Sequence, residues 1–177
     1  MANREALREL QSRLAERMKA ARREQRVQSW LAVECRGHGL LLPLEQAGEI
    51  FPTTALIEVP HTQGWFAGVA NLRGGLYGVV DLARFLGLPE ASGAESGREQ
   101  ARLVAFGAAL GLNCALRVDR LAGLRSAEQL QPEPEDASAG PRPAFAGQRW
   151  RDGTGRHWQA FDLAALAQDE QFLSIVA

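Results

Sequence analysis

The stretch GVANLRGGLYGVVDLARFLG, at residues 68–87, is the most informative part of the chain because it carries five glycines through a mainly apolar run. Gly74 and Gly75 are adjacent, and two neighbouring residues that both tolerate positive φ are typical of a tight hairpin turn. The residues before and after them, 69–72 and 76–80, predict the two strands of that hairpin. The glycines are therefore expected to serve the geometry of the backbone.

The same stretch ends in signals for a short helix. Asp81 can accept a hydrogen bond from a backbone amide of the first helical turn, which is the usual role of an N-cap residue. Residues 82–86 predict the helix, Gly87 is suited to its C-terminal end, and Pro89 prevents its continuation. Residues 68–87 thus predict a hairpin followed by one short helix.

A phosphate-binding loop is the main alternative for a glycine-rich segment, and this segment matches neither of the common patterns. A Walker loop ends in Lys followed by Ser or Thr, and that pair is absent here. A dinucleotide-binding turn places its glycines between a strand and a helix, whereas these glycines fall between two predicted strands. The sequence therefore does not predict nucleotide binding at this segment.

The chain contains an internal repeat that includes this hairpin. Phe66-Ala67-Gly68 recurs as Phe145-Ala146-Gly147, at an offset of 79 residues. Asp81-Leu82-Ala83 recurs as Asp162-Leu163-Ala164, at an offset of 81 residues. Because the two blocks occur in the same order in both copies, we interpret them as a duplication.

A pair of upstream segments extends the repeat. Residues 31–44 can be laid over residues 103–116 at a constant offset of 72, which aligns Leu31 with Leu103. The duplication predicts a mainly β protein of two similar lobes, at about 27–90 and 101–168, each with about five short strands and a terminal helix capped by Asp81 or Asp162. A lobe of this size buries only a small core, so the lobes are expected to share apolar surface. An exchange of strands between the lobes is compatible with this division.

Residues 1–26 precede the repeat and divide the chain into a charged helix and a domain at 27–177. Asn3 can cap a helix over 3–26, in which eight basic and four acidic residues give a charge of +4. One apolar stripe at helical spacing runs along it: Leu7, Leu10, Leu14, Met18 and Ala21. The sequence leaves open whether this helix docks on the domain, stays in solvent, or contacts an acidic partner or a membrane surface.

Two further segments predict loops without a strand or helix. Residues 89–100 are rich in glycine, serine and glutamate. Residues 131–143 hold four of the eight prolines and are acidic. Such compositions are typical of irregular connections between short strands.

The composition limits the classes of function. A chain of 177 residues with 46% hydrophobic and 23% charged residues is typical of a globular, soluble protein. Its net charge of −1 lacks the basic excess of most nucleic-acid-binding domains. No apolar run is long enough to span a membrane, and the charged first residues predict no signal peptide.

The sequence presents no recognisable catalytic or metal-binding pattern. Cys35 and Cys114 have no neighbouring cysteine or spaced histidine pair, so we interpret them as small apolar core residues in a reducing compartment. His38, His61 and His157 lie in predicted turns or at strand edges, which is typical of surface histidines. The motifs GxSxG, HExxH and CxxC are absent. We therefore expect no enzymatic activity, no metal and no cofactor.

Arg73 is the one residue of the hairpin that backbone geometry leaves unexplained, because its charge is permanent and its surroundings in sequence are apolar. One alternative is an exposed arginine at the tip of the hairpin. The other is an arginine fixed by a carboxylate, for which Glu49 is the best candidate because it precedes the hairpin in the same lobe. A Glu49–Arg73 ion pair would shape a recognition surface.

Four stretches of the chain together resemble a known family. They are GWFAGVANLRGGLYGVVDLARFLG (64–87), LPLEQAGEI (42–50), ALRVDRLAGL (115–124) and FDLAALA (161–167). Their pattern is similar to that of CheW-like domains, the coupling proteins of bacterial chemosensory arrays. Within that family, VPHTQGWFAG and LYGVVDLARFLG are most similar to the version that serves type IV pilus, or twitching, systems.

The resemblance implies a fold and a function. CheW-like domains are two five-stranded SH3-like barrels packed about a shared hydrophobic core, without enzymatic activity. The resemblance implies that the chain couples the cytoplasmic tip of a methyl-accepting receptor to the regulatory domain of a CheA-like histidine kinase. It further implies a cytoplasmic location, recruitment to the inner membrane through the receptor array, and no direct insertion into the membrane.

The resemblance also implies a receptor-binding groove between the lobes. Glu49 and Arg73 match the paired Glu and Arg of the family, which agrees with the ion pair expected from the residues themselves. Four apolar residues are expected to line the groove with them: Leu44, Ala47, Leu72 and Val118. The alternatives are a small β-barrel ligand-binding protein or enzyme, and a nucleic-acid-binding module, since the fold class alone does not select a function.

Overall fold

The computed structural model describes residues 13, 28–89, 100–134 and 140–177. The predicted helix over residues 3–26 lies outside the described residues, apart from Arg13. The described part of the chain is mainly β, as expected. It consists of short strands, three one-turn α-helices and two 3₁₀ turns.

The strands fall into two groups along the chain, and three short helices follow them. The first half contains β1 (Ser29–Cys35), β2 (His38–Pro43), β3 (Ala47–Pro52), β4 (Phe66–Leu72) and β5 (Gly75–Asp81), followed by α1 (Leu82–Phe85). The second half contains β6 (Arg102–Phe106), β7 (Cys114–Val118), β8 (Arg120–Ser126), β9 (Leu130–Pro132), β10 (Ala146–Asp152) and β11 (His157–Phe161), followed by α2 (Leu163–Leu166) and α3 (Glu170–Leu173).

Hydrogen bonding arranges these strands in two sheets. A six-stranded sheet has the order β8-β1-β2-β11-β10-β9, and a five-stranded sheet has the order β3-β6-β7-β5-β4. When β9 is set aside, the five remaining strands of the first sheet correspond one by one, in order and direction, to the five strands of the second. Each sheet contains one parallel pair, β2 with β11 in the first and β7 with β5 in the second. This equivalence is the structural counterpart of the internal repeat.

Each half of the chain contributes its first hairpin to the other half's sheet. Strands β1 and β2 pair with β8 and β11, whereas β6 and β7 pair with β3 and β5. The ranges 27–90 and 101–168 therefore each supply strands to both sheets. The duplication is present, and the unit that folds is assembled from both copies.

Both sheets curl into barrels. In a flat sheet, three strand spacings of about 4.8 Å would separate β1 from β10 by about 14 Å, yet the ring centroids of Trp30 and Trp150 are 5.2 Å apart. The edge strands β8 and β9 are joined by Ala127–Gln129 alone. In the five-stranded sheet, Phe51 of β3 and Tyr77 of β5 are similarly close, at 6.5 Å.

Three apolar clusters form the interior of the part of the chain that the structure describes. Trp30, Leu41 and Trp158 belong to the cluster inside the six-stranded barrel, and Leu103 and Val79 belong to the cluster inside the five-stranded barrel. The largest cluster combines residues of both sheets and all three helices. It forms the shared hydrophobic core that the fold class predicted.

The hairpin between β4 and β5 forms as predicted, but its turn is one residue earlier. Leu72 pairs with Gly75, so Arg73 and Gly74 are the central residues of the turn, at φ 49° and 84°. The Asn71 side chain accepts a hydrogen bond from the Gly74 amide at 2.8 Å, which stabilises the turn. Gly75, which the sequence placed in the turn, lies in β5.

A close approach explains one further glycine of the stretch. Gly68 adopts φ 125°, and a Cβ at this position would collide with the carbonyl group of Ile57. Because the side chain is absent, Ile57 and Val69 can exchange two backbone hydrogen bonds of 2.9 Å. This bridge attaches the segment after β3 to the edge strand β4.

The predicted helix caps are present, and two short elements were not predicted. Asp81 and Asp162 accept hydrogen bonds from Arg84 and Ala165 amides, both at 3.0 Å, at the N-termini of α1 and α2. Strand β9 begins one residue before the predicted loop at 131–143 and extends into it, where it pairs with β10. The other addition is α3, whose Phe172 packs in the shared core.

Candidate functional site

The predicted ion pair between Glu49 and Arg73 is present. Arg73 Nη2 lies 2.7 Å from Glu49 Oε1, and both side chains are exposed to solvent. Glu49 belongs to β3 and Arg73 follows β4, and these are the two edge strands of the five-stranded sheet. An exposed pair of this kind contributes only about 0–1 kcal/mol to folding, so its main effect is to orient the two charges.

Arg73 holds its position at some cost in backbone energy. A non-glycine residue in the left-handed region costs roughly 1–2 kcal/mol relative to an ordinary conformation, and Arg73 has φ 49°. Its exposed guanidinium gains little in return from the contact with Glu49. Strained backbone conformations are concentrated at functional sites, so the strain at this exposed position makes Arg73 a candidate binding residue.

The other predicted groove residues do not form one open surface. Leu44 is 43% exposed and Ala47 is partly buried against the shared core. Leu72, however, is buried inside the five-stranded barrel, and Val118 is buried in the shared core. Because their side chains point into apolar clusters, Leu72 and Val118 support the surface from below and cannot line it.

Two exposed apolar residues that the sequence did not identify lie on the edge strands next to the shared core. Ile50 of β3 pairs with Val104, and Leu124 of β8 pairs with Leu31. Residues directly opposite each other on antiparallel strands share a face, and both partners are core residues. Ile50 and Leu124 therefore flank the seam between the barrels, on equivalent strands.

The internal repeat was the sequence signal that could have identified Leu124. Strands β3 and β8 occupy the same place in their sheets, so a functional residue on β3 implies a candidate on β8. The exposed fractions of Ile50 and Leu124 are 38% and 60%. We define the seam surface as the exposed or partly buried residues Leu44, Ala47, Glu49, Ile50, Arg73 and Leu124.

Leu44 also borders a cleft of about 790 Å³ at the end of the six-stranded barrel. Trp30 and Trp150 form part of its floor, and Gln46 and Asp162 stand at its margin. Gln46 Oε1 accepts a hydrogen bond of 2.7 Å from the Leu163 amide. This contact joins the segment between β2 and β3 to the start of α2.

A charge cluster around the buried residue Glu34 lies at the opposite end of β1. The Glu34 carboxylate accepts hydrogen bonds from Arg120 and, at 2.6 Å, from Arg156. Burial by itself raises the pKa of Glu34, but the hydrogen bonds from the two arginines outweigh it, so the pKa lies below its ordinary value. Arg156 also lies over the ring of Trp158, 4.7 Å from the centroid. The cluster caps the barrel interior.

The geometry offers no catalytic machinery in the part of the chain that the structure describes. Burial raises the pKa of both thiols, that of Cys114 to about 12, so neither is a nucleophile near neutral pH. His157 is paired with Glu133, at 2.9 Å between Nδ1 and Oε2. Residues 28–89, 100–134 and 140–177 contain no group of three or more His, Cys, Asp or Glu side chains arranged to hold a metal.

Comparison with known proteins assigns the chain to a family. The model of the CheW-like domain matches residues 29–171. The chain belongs to the CheW-like domain family. It is 31% identical over 160 residues to Protein PilI of Pseudomonas aeruginosa, covering 86% of this chain and 83% of PilI. CheW-like proteins are scaffolds without enzymatic activity, so the expectation that this chain is not an enzyme is confirmed by its membership.

A solved structure supports the fold independently. The scaffolding protein TtCheW of Thermoanaerobacter tengcongensis superimposes with a TM-score of 0.63 at 17% identity, over 77% of this chain and 84% of that one. The expected CheW-like architecture is therefore confirmed at the level of the fold. None of the helices in the described residues has the length and apolar character needed to cross a membrane.

Proposed function

We propose that this CheW-like protein is an adaptor that couples a methyl-accepting chemoreceptor to a CheA-like histidine kinase, in a chemosensory system that controls type IV pilus twitching motility. The family membership supports the adaptor role, and the similarity to PilI supports the pilus system. The proposed partners are the cytoplasmic tip of the receptor and the regulatory domain of the kinase. The protein would then act in the cytoplasm, recruited to the inner membrane through the receptor.

The seam surface is our candidate for the receptor contact. The observation that carries it is Arg73, an exposed arginine held in a strained turn and oriented by Glu49 at 2.7 Å. Ile50 and Leu124 provide exposed apolar area beside the shared core. An amphipathic receptor helix could place apolar residues against these side chains and acceptors against the guanidinium of Arg73.

Signal transfer follows from thermodynamic linkage. If receptor binding changes the adaptor's affinity for the kinase, kinase binding must change the adaptor's affinity for the receptor by the same factor. Contacts of this class bury about 1,200 Å² or less, so each is weak alone. Many copies held in an array would supply the strength that a single contact lacks.

The proposal is tested by measuring receptor and kinase binding of the same variants. Arg73→Glu and Leu124→Lys are expected to weaken binding to a receptor cytoplasmic fragment about tenfold or more, because one reverses a charge and the other places a charge against apolar residues. Binding to the kinase regulatory domain should change less than about twofold. Glu58→Lys, on an exposed loop, is the matched control and should leave both affinities unchanged.

Two results would count against the proposal in different ways. Wild-type protein that binds neither partner would contradict the adaptor function. Normal receptor binding by both Arg73→Glu and Leu124→Lys would leave the function intact and show that the receptor contact lies elsewhere on the molecule.

A further inference from the structure

A second cleft, of about 900 Å³, opens between the two barrels on a side that the seam surface does not include. One wall is apolar and consists of Leu86 and Leu88, at the end of α1, together with Phe145. Leu86 and Leu88 are half-buried and pack against the shared core. The opposite wall is the outer face of β2, β11 and β10. The apolar wall thus continues the shared core to the surface.

The ionisable residues that line this cleft are mainly basic. They are three arginines, Arg142, Arg149 and Arg156, two histidines, His38 and His157, and one glutamate, Glu133. Arg151 lies 2.7 Å from Glu133 and compensates its charge. Glu34, which does not line the cleft, is shared between Arg156 and Arg120 and compensates only one of them. The described residues in and around the cleft therefore carry a net positive charge, although the whole chain carries −1. We call it the basic cleft, defined by Leu86, Leu88, Phe145, Arg142, Arg149 and Arg156.

Arg149 is the arginine of the cleft with the most freedom to meet a ligand. Arg149 is exposed, and the hydrogen bond that its Nε donates to Gln159 Oε1 is long, at 3.4 Å. Arg156, in contrast, is engaged by Glu34 at 2.6 Å. A guanidinium beside an apolar wall suits a carboxylate that it can contact through two parallel hydrogen bonds.

The internal repeat shows how the corresponding space is used in the other half of the molecule. There the connection from β6 to β7 is long, and it places Leu110 and Leu112 against the shared core. The connection from β1 to β2 is the two-residue turn Arg36-Gly37, which supplies no such side chain. Strand register aligns Leu112 with His38, which is exposed. The chain therefore covers this part of its core in one half with its own leucines and leaves it open in the other.

We propose that the basic cleft binds an acidic peptide segment of a partner protein, which inserts a leucine or phenylalanine against Leu86 and Leu88. The inserted side chain would take the place that Leu110 and Leu112 fill in the other half. A flanking carboxylate would pair with Arg149 at the rim. The apolar anchor supplies most of the affinity, and the arginines select an acidic neighbourhood.

The proposal is tested with three fluorescein-labelled hexapeptides and the full chain, at up to about 1 mM protein. The peptide EELFEE carries both features, EESSEE keeps the charge and removes the anchor, and KKLFKK reverses the charge. We expect EELFEE to bind, and both others to bind at least about tenfold more weakly. Arg149→Glu should weaken EELFEE about tenfold or more, whereas Arg84→Glu, a charge reversal outside the cleft, should not.

Methyl NMR of the unmodified protein locates the contact without relying on a variant. On addition of EELFEE, the methyl resonances of Leu86 and Leu88 should shift, and those of the exposed Leu76 on the five-stranded sheet should not. Absence of EELFEE binding, equal binding of KKLFKK or EESSEE, unaltered binding by Arg149→Glu, or shifts confined to residues outside the cleft would each overturn the proposal.

Discussion

The pairing of Arg73 with Glu49 was predictable from the sequence around these two residues. A charge within an apolar stretch was enough to predict its pairing with a carboxylate, and Glu49 lies 2.7 Å away. Its position in the turn was not predictable in the same way, because adjacent glycines at 74 and 75 allow two placements of a two-residue turn. Pairing of Leu72 with Gly75 selects the placement that keeps Leu72 inside the barrel.

At the same scale, Asp152 organises the turn between β10 and β11. Its carboxylate accepts hydrogen bonds from Thr154, from the Arg156 amide and, at 2.9 Å, from Trp158 Nε1. Asp152→Ala leaves the donor of the buried Trp158 without this acceptor, so the free energy of unfolding should fall by about 1–3 kcal/mol. Guanidinium unfolding measures the change. Glu58→Ala, an exposed carboxylate, should stay within about 0.5 kcal/mol, and an equal loss in both variants would contradict this role.

Glu34 predicts a pH dependence of stability. Its pKa is depressed in the folded state, so its carboxylate contributes stability that is fully present above the unfolded value of about 4.3. That contribution is lost as the pH falls through the lower, folded pKa. The difference in unfolding free energy between wild type and Glu34→Gln should therefore be constant from pH 7 to about 5 and shrink at lower pH.

Denaturant unfolding at several pH values between about 7 and 3 tests this dependence. Glu58→Gln serves as the matched control, because Glu58 is exposed and has no arginine partner among the described residues. A wild-type to Glu34→Gln difference that remained constant down to pH 3 would show that the carboxylate does not titrate with a depressed pKa.

At the scale of elements, the sequence predicted those strands, turns and helices that are determined by interactions between residues close in sequence. The hairpin of β4 and β5, the helix α1 and the caps Asp81 and Asp162 were predictable because each depends on neighbours in sequence. Strand β9 was not, because its three residues are held by pairing with β10 and not by their own composition. The same holds for α3, which is anchored by the packing of Phe172 on Phe85 and Phe106.

The β4–β5 turn gives a prediction for an element. Asparagine followed by glycine is favoured when both central residues have positive φ, so Arg73→Asn should raise the free energy of unfolding by up to about 1 kcal/mol. Receptor binding should nevertheless weaken, because the guanidinium is lost. Thermal unfolding and receptor binding of one variant measure both effects. A variant that lost stability and binding together would indicate a structural role for Arg73.

The turn between β1 and β2 provides the matched control for that change. Arg36 and Gly37 adopt the same pair of positive φ values, 48° and 83°. Arg36, however, also donates to the carbonyl of Leu88, a contact that asparagine is too short to make. Arg36→Asn should therefore gain no stability, which separates the local preference of the turn from the contacts of its side chain.

At the scale of the whole molecule, the sequence predicted the duplication but not its register. A constant offset of 72 aligned Leu31 with Leu103, yet Leu31 lies in the shared core and Leu103 inside the five-stranded barrel. Leu31 corresponds instead to Val104, which is in the shared core. A shift of one residue moves a strand's side chains to the other face, and repeats rich in leucine and alanine align almost equally well in either register.

The exchange of hairpins between the two sheets could not be predicted from short sequence patterns, because it depends on pairing between strands far apart in the chain. The exchange gives a prediction for the whole chain. Because each barrel takes strands from both halves, fragments 1–94 and 95–177 should each be largely unfolded when produced alone. Mixed together, they should recover the circular dichroism and the dispersed NMR spectrum of the intact protein. One fragment that folded alone would show that a barrel does not require its exchanged hairpin.

The parallel pairs β2–β11 and β7–β5 have a mechanical consequence. Two bodies held together only by an apolar contact can be pulled apart, but here the polypeptide passes between the sheets twice, from β2 to β3 and from β7 to β8, and the strands at each crossing are held in ladders of backbone hydrogen bonds. A load applied across the two barrels must therefore shear whole rows of those bonds at once. We expect the molecule to keep its two barrels, and any partner bound to them, at a fixed separation.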